Sequence, residues 1–282
     1  MTSREEKNKK YVEEINKEKT IKVTKIVLKS LAIIILVFTL IFLYAHFYEP
    51  MRFQTSEYLI KDSNIPDDFN GIKILHFTDL LYGSSIDQNY LNKISEEIKL
   101  INPNIVFFTG NIISKEYEIT EDEIKKVNNF FNSIPYTIGK YAVSGDTDNH
   151  SFNLIMENTD FIHINNEVLS VYNGTNKINL IGINYNEEKE IKTDNNSFTI
   201  TLINNYDEYN SYNINSNLIF AGHNLGGEIK LFGLPLLGND KYLKNYYEEN
   251  NSKIYISNGL GTLHHLRLMN KPSINVYRLY NK

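Results

Sequence analysis

The longest uniform stretch of the chain is apolar. From Ile26 to Tyr44 only Lys29, Ser30 and Thr39 interrupt it. A helix of that length, rising about 1.5 Å per residue, nearly spans a hydrocarbon layer of about 30 Å. The run SLAIIILVFTLIFLYA has no polar face, whereas a core helix of a small domain keeps one. It is therefore expected to cross a membrane, with Lys29 snorkelling to the near interface. Arg4, Lys7, Lys9, Lys10, Lys17, Lys19, Lys22 and Lys25 precede it, and the stretch just after it carries only Arg52 and Lys61. This asymmetry predicts a single-pass protein of the cell membrane with a cytoplasmic N-terminus and an extracytoplasmic main domain. No small-x-small cleavage site stands before His46, Phe47 and Tyr48, so the span is expected to remain as an anchor. The charged residues ahead of it lack apolar partners and read as a solvated tail. The divisions are a cytoplasmic tail over 1–25, an anchor over 26–46 and a main domain over 50–282.

After Pro50 short β-rich runs alternate with helix-period segments. Lys73 to Thr78 (KILHFT) and Asn104 to Thr109 (NIVFFT) read as buried strands. Between them Asp87 can cap a helix with Leu91, Ile94, Ile98 and Ile101 on one face, stopped by Pro103. Thr120 and Glu123 have capping-box spacing and open a second helix that ends near Ile134 and Pro135. A further strand runs from Lys140 to Ser144. The second half is expected to be richer in strands, over Phe161 to Tyr172, Lys177 to Tyr185, Phe198 to Asn204, Leu218 to Ala221, Glu228 to Leu231, Lys253 to Asn258 and Ser273 to Leu279. Gly174 and the pair Asn195 and Asn196 supply turn chemistry. The run KYLKNYYEEN suits an amphipathic surface helix or a cover over a site. One α/β domain fits this order better than two.

Composition narrows the chemistry. A chain of 282 residues, 41% hydrophobic, can bury a substantial core. A net charge of -5 with both signs interleaved gives no basic face, which sets nucleic acid aside as a partner. With no cysteine, any metal must be held by Asp, Glu, His or Asn.

Four strand ends carry recognisable strings: KILHFTDLLYG, PNIVFFTGN, GKYAVSGDTDNH and FAGHNLGGEIKL. In that order they resemble the motif series of calcineurin-like metallophosphoesterases, most closely the bacterial membrane-associated branch. NIPDDFNGIKI before the first string and SNGLGTLHHLRLMNKPSINVYRL at the end support the resemblance, which covers Tyr58 to the C-terminus. It implies a sandwich of two mixed β-sheets flanked by helices, here preceded by one transmembrane helix. It also implies a site for two divalent metals at the strand ends, where a bridging hydroxide attacks phosphorus.

The motifs depart from the family at the ligands. Asp79 matches the first Asp, but Leu81 stands at the first His. Asn111 replaces the bridging Asp, Asp146 the ligand Asn, and Thr147 the His that assists the leaving group; Asp148, which would orient that His, is retained. Asn204 falls at the mid-domain His. His223 matches the first His of the last motif, and Leu225 replaces the second. Leu81 and Leu225 both fall on one metal and offer it no lone pair, while an amide at 111 lacks the charge that offsets repulsion between two cations. Asn111, Asp146, Asn204 and His223 form at most an oxygen-rich shell for one divalent cation. No cofactor is therefore expected. The reading is a membrane-bound, non-catalytic binding or interaction module with an unidentified ligand or protein partner. The alternative is a divergent metal-dependent phosphoesterase acting on a phosphorylated lipid, wall precursor or nucleotide. His150, His264 and His265 are candidate replacement ligands, His76 reads as a packed histidine, and Arg267 reads as either an anion contact or a structural ion pair.

Overall fold

The apolar N-terminal stretch is a continuous helix in the computed structural model, which describes residues 3–148, 150–185, 190–192, 197–212, 214–236 and 241–282. Helix α1 (Ser3–Leu43) is long and apolar enough to cross a membrane, and its apolar side chains are exposed, Phe38 by 68%. It includes the charged residues that the sequence suggested were a solvated tail. Glu6 and Lys10, Glu13 and Lys17, and Glu18 and Lys22 are spaced to support a helix that the apolar stretch already nucleates. Residues 1–45 and 46–282 form separate compact units.

In the second unit β1 (Gln54–Lys61), β2 (Lys73–Phe77), α2 (Gln88–Ile101), β3 (Ile105–Phe108), α3 (Glu121–Asn132), β4 (Gly139–Ala142), α4 (His150–Met156) and β5 (Ile162–His163) come first. They are followed by β6 (Glu167–Asn173), β7 (Asn176–Ile183), β8 (Thr199–Ile203) and β9 (Leu218–Ala221). The chain ends with β10 (Lys230–Leu231), β11 (Leu234–Pro235), β12 (Tyr246–Glu249), β13 (Ser252–Ile256) and β14 (Ser273–Tyr280). One six-stranded sheet has the order β1-β14-β2-β3-β4-β5, the other β12-β13-β9-β8-β7-β6, and β10 with β11 forms a separate ribbon. Both sheets mix parallel and antiparallel pairs, as the sequence motifs imply.

Alternation along the strands builds the layers. On β2, Leu75 and Phe77 pack with Leu91, Ile94 and Ile98 of α2 and Phe131 of α3. Ile74 of the same strand joins Phe107, Leu202 and Phe220 between the two sheets. The caps act as the sequence indicates: the Asp87 side chain accepts from Tyr90 N, and Thr120 with Glu123 makes both bonds of a capping box.

Three segments differ from expectation. Phe161 to Tyr172 is not one strand: β5 belongs to the first sheet and β6 to the second, with Asn166 at φ 49° marking the crossover. KYLKNYYEEN contributes no helix. Its Tyr246–Glu249 pairs as β12 with β13, and Tyr242 is buried against Tyr206. The Glu228 to Leu231 strand shrinks to β10, because Glu228 sits at φ 36° outside it. Asn195 and Asn196 lie outside the described residues.

Candidate functional site

The strands β2, β3 and β4 run parallel, as do β8 and β9, so their carboxyl ends gather the motif residues at one edge of the sandwich. The turns there use an uncommon backbone: Asp79, Leu81, Asn111, His223 and Leu225 all have positive φ, between 46° and 73°. Asp, Asn and His tolerate this region, whereas leucine is strained in it. The cross-links Asp79 N to Gly110 O, 2.9 Å, and Leu81 N to Asn111 O, 3.0 Å, hold the conformation. Gly145 permits a close approach, since a Cβ there would overlap the Asn111 and Asn204 side chains.

Asn111 is the centre of the arrangement. Its Nδ2 donates to Asp79 Oδ1 at 2.8 Å, to Asp146 Oδ1 at 2.9 Å and, more weakly, to Asn204 Oδ1 at 3.4 Å. Its Oδ1 accepts from the backbone N and the hydroxyl of Thr147, both at 3.0 Å. Asn204 Nδ2 donates to Thr109 O at 2.6 Å. Asp79 Oδ2 accepts from His223 N at 2.9 Å, and His223 Nδ1 lies 3.2 Å from Asp146 Oδ1. Asp79, Asn111, Thr147 and Asn204 are buried, while Asp146 and His223 remain partly open to solvent. Leu81 and Leu225 are 1% exposed. The structure thus brings together Asp79, Asn111, Asp146, Thr147, Asn204 and His223, with Leu81 and Leu225 buried on the same turns.

Burial raises the Asp79 carboxyl, partly offset by the charge of His223 and the Asn111 amide. Burial also pushes Asp146 up, but its bonds from His223 and Asn111 and the imidazole charge outweigh this and hold it below the ordinary range. Asp148 receives Asn111 N at 2.7 Å, Gly145 N at 2.9 Å and Ile112 N at 2.8 Å. Desolvation still pushes it up to about 7. It therefore ties the β3 and β4 turns together. It also borders a polar pocket of about 390 Å3 lined by Ser144, Phe152, His163, Asn184 and Tyr185.

The remaining candidates lie elsewhere. His264 and His265 are exposed, and His264 Nδ1 is 2.6 Å from Glu228 Oε2. His150 begins α4, and its side chain is outside the described residues. His76 packs between the sheets, bonded to Thr109 Oγ1 at 2.9 Å, with Phe220 against its ring. Arg267 is fully buried and donates to the carbonyls of Leu225, Asn270, Asn258 and Gly261. It clamps the closing segment, and among the described residues it makes no direct ion pair. Among the described residues no three His, Cys, Asp or Glu side chains are grouped to hold a metal ion. Sequence reasoning missed Glu49, a buried carboxylate that accepts from Met269 N and Asn270 N; its position just beyond an apolar span was the available signal.

No family model matches the chain. It is 27% identical over 263 residues to the uncharacterised metallophosphoesterase YkuE of Bacillus subtilis, covering 84% of this chain and 88% of the relative. It is 23% identical over 245 residues to the uncharacterised metallophosphoesterase Cj0846 of Campylobacter jejuni, covering 80% of this chain and 63% of the relative. A shorter match, 28% over 88 residues, is to the UDP-2,3-diacylglucosamine pyrophosphatase LpxG of Chlamydia trachomatis, covering 30% of this chain and 26% of that protein. With the motif order and the two-sheet fold, these relatives support the likeness of the chain to the calcineurin-like metallophosphoesterases.

Proposed function

We propose that this chain is a membrane-anchored binding or interaction module whose cleft has lost the family's two-metal chemistry. The observation that carries the reading is the direction of the Asn111 amide. Between Asp79 and Asp146, where family members place a cation, this chain places the N–H protons of Asn111. They pair both carboxylates and repel a cation at the same point. Leu81 and Leu225 offer no lone pair to a second ion. These residues do not fit a pair of divalent metals. What stays open to a ligand is the Asp146 and His223 pair with the neighbouring polar pocket, a surface that offers hydrogen bonds rather than a nucleophile.

The second reading is metal-dependent hydrolysis of a phosphorylated lipid, wall precursor or nucleotide. One observation favours it: Asp146 and His223 are partly exposed, and turning the Asn111 oxygen toward them would complete a shell for one hard cation with Asn204. Metal titration of the full-length protein separates the two. A cation held at the site at a hundred times its dissociation constant stabilises the fold by about 2.7 kcal/mol. The binding-module reading expects no change in unfolding temperature with Mn(II) or Zn(II), and a metal-dependent rise would refute it.

In this account α1 is the anchor, with the N-terminus in the cytoplasm and the main domain outside. The lysine-rich flank supports that orientation. A reporter fused after Lys282 should be active only outside the cytoplasm; cytoplasmic activity would reverse the topology.

A further inference from the structure

At the tip of the β10–β11 ribbon Phe232 is 86% exposed, and Leu231, Leu234 and Leu236 are exposed by 43%, 71% and 56%. Leu231 pairs with Leu234 across a two-residue loop, and both loop residues, Phe232 and Gly233, have positive φ, 51° and 83°. Asn-Gly fills such a turn without strain, whereas phenylalanine adopts the left-handed region reluctantly. The tip thus combines a disfavoured backbone with a cluster of uncovered apolar side chains. Such a combination points to a partner outside the chain.

The surroundings of the ribbon say which partner. Lys230 N donates to Leu268 O at 2.8 Å, and Leu268 N to Glu228 O at 3.1 Å. The next two residues, Met269 and Asn270, donate to the Glu49 carboxylate at 3.0 and 2.7 Å. Glu49 follows Leu43, the last residue of α1, by six positions. Even fully extended, six residues reach only about 20 Å. The ribbon base is therefore tied, through two short steps of hydrogen bonding, to Glu49, a residue that the chain reaches shortly after its apolar helix.

We propose that the tip Leu231–Leu236 inserts into the interfacial layer of the membrane that α1 crosses, as a second contact that sets the orientation of the domain. The proposal rests on the membrane reading of α1. The sequence LFGLPL carries no charge and no hydrogen-bonding side chain with which to select a protein, whereas a lipid layer asks only for apolar area. Insertion is shallow, because a two-stranded ribbon leaves backbone groups that need headgroups or water. Asn270 Nδ2 also holds Leu225 O at 2.7 Å, so the same segment ties the cleft to this contact.

The chain has no tryptophan, so one introduced residue reports its own surroundings. Phe232→Trp, Phe38→Trp and Leu100→Trp are made singly in the full-length protein. Each is reconstituted in phosphatidylcholine and phosphatidylglycerol vesicles whose acyl chains are brominated at shallow or deep positions. The proposal expects blue-shifted Phe232→Trp emission that is lost with shallow bromine, and water-like, unquenched emission from Leu100→Trp, at an 83% exposed position on α2. Phe232→Trp emission matching that of Leu100→Trp overturns it. So does a blue shift that bromine does not quench, which marks a protein surface or second copy over the tip. Deep-bromine quenching of Phe38→Trp reports the anchor independently. Its absence beside a quenched Phe232→Trp rejects the span while upholding the ribbon contact.

Discussion

Thr147 donates its backbone N–H to the side-chain oxygen of Asn111 at 3.0 Å. A backbone N–H can only donate, so this bond fixes which end of the amide is oxygen and turns Nδ2 toward Asp79 and Asp146. In the family pattern a carboxylate stands at 111 and an amide at 146. Here the two are exchanged, and the pair hydrogen-bonds directly.

Replacing the donor tests that relationship. Asn111→Asp keeps the shape and the acceptor for Thr147 but sets three carboxylates together. In chelator it is expected to lose about 3 kcal/mol of stability, as for a buried charge without its partner. That lowers the melting temperature by about 6–12 °C for a domain of this size. Mn(II) should recover part of the loss in the variant and do nothing for the parent chain. An unchanged melting temperature in chelator would show that the amide is not holding the carboxylates apart.

Rebuilding the ligands tests whether the proposed loss of metal binding is confined to them. Leu81 and Leu225 occupy left-handed backbone that suits His better than Leu, so the turns are already shaped for the replacements. The combination Leu81→His, Asn111→Asp, Asp146→Asn, Asn204→His and Leu225→His should bind Mn(II) or Zn(II) and melt higher with metal than without. Adding Thr147→His should then raise turnover of an activated phosphate ester, since proton delivery to the leaving group is a separate step. A folded fivefold variant indifferent to metal would mean that the cleft is remodelled beyond its ligands.

His76 predicts an acid sensitivity. Burial between the sheets lowers its pKa from 6.5 to about 3, so the folded chain keeps it neutral while the unfolded chain takes up a proton below pH 6.5. The stability it contributes is complete above pH 6.5 and falls as pH drops through the window down to about 3. Between pH 7 and pH 5 the loss is about 2 kcal/mol at the linkage slope of about 1.4 kcal/mol per pH unit. His76→Gln should remove that increment, read as the difference between the two proteins' melting curves at each pH. Parallel curves would contradict the assignment.

Arg267 predicts a structural rather than a ligand-binding phenotype. Arg267→Met leaves the carbonyls of Leu225, Asn258, Gly261 and Asn270 without their buried donor. A loss above about 3 kcal/mol is expected. Phosphate should not raise the melting temperature of the parent chain through this residue; a rise that disappears in a folded Arg267→Lys variant would restore the anion contact.

Much of this architecture is legible locally. Asp87 and Thr120 with Glu123 announce α2 and α3 because caps depend on a few adjacent residues, and KILHF and IVFF read as strands because both faces are buried. β1 is not legible: QTSEYLIK is half-exposed, and its pairing with β14 is made across most of the chain. The break at Asn166 is hidden because flanking runs of similar apolar content go to different sheets. At the site, motif order suffices to bring Asp79, Asn111, Asp146, Asn204 and His223 together. The direction of the Asn111 amide is another matter, since it depends on a backbone group of Thr147 that only the folded chain delivers.

The most direct test of the account is metal content measured together with turnover on the full-length protein, purified without chelator. Elemental analysis should find no stoichiometric Mn, Fe, Zn or Co, and generic phosphodiesters should not be hydrolysed when these metals are added. Two metals per chain, with metal-dependent turnover abolished by Asp79→Ala, would contradict it.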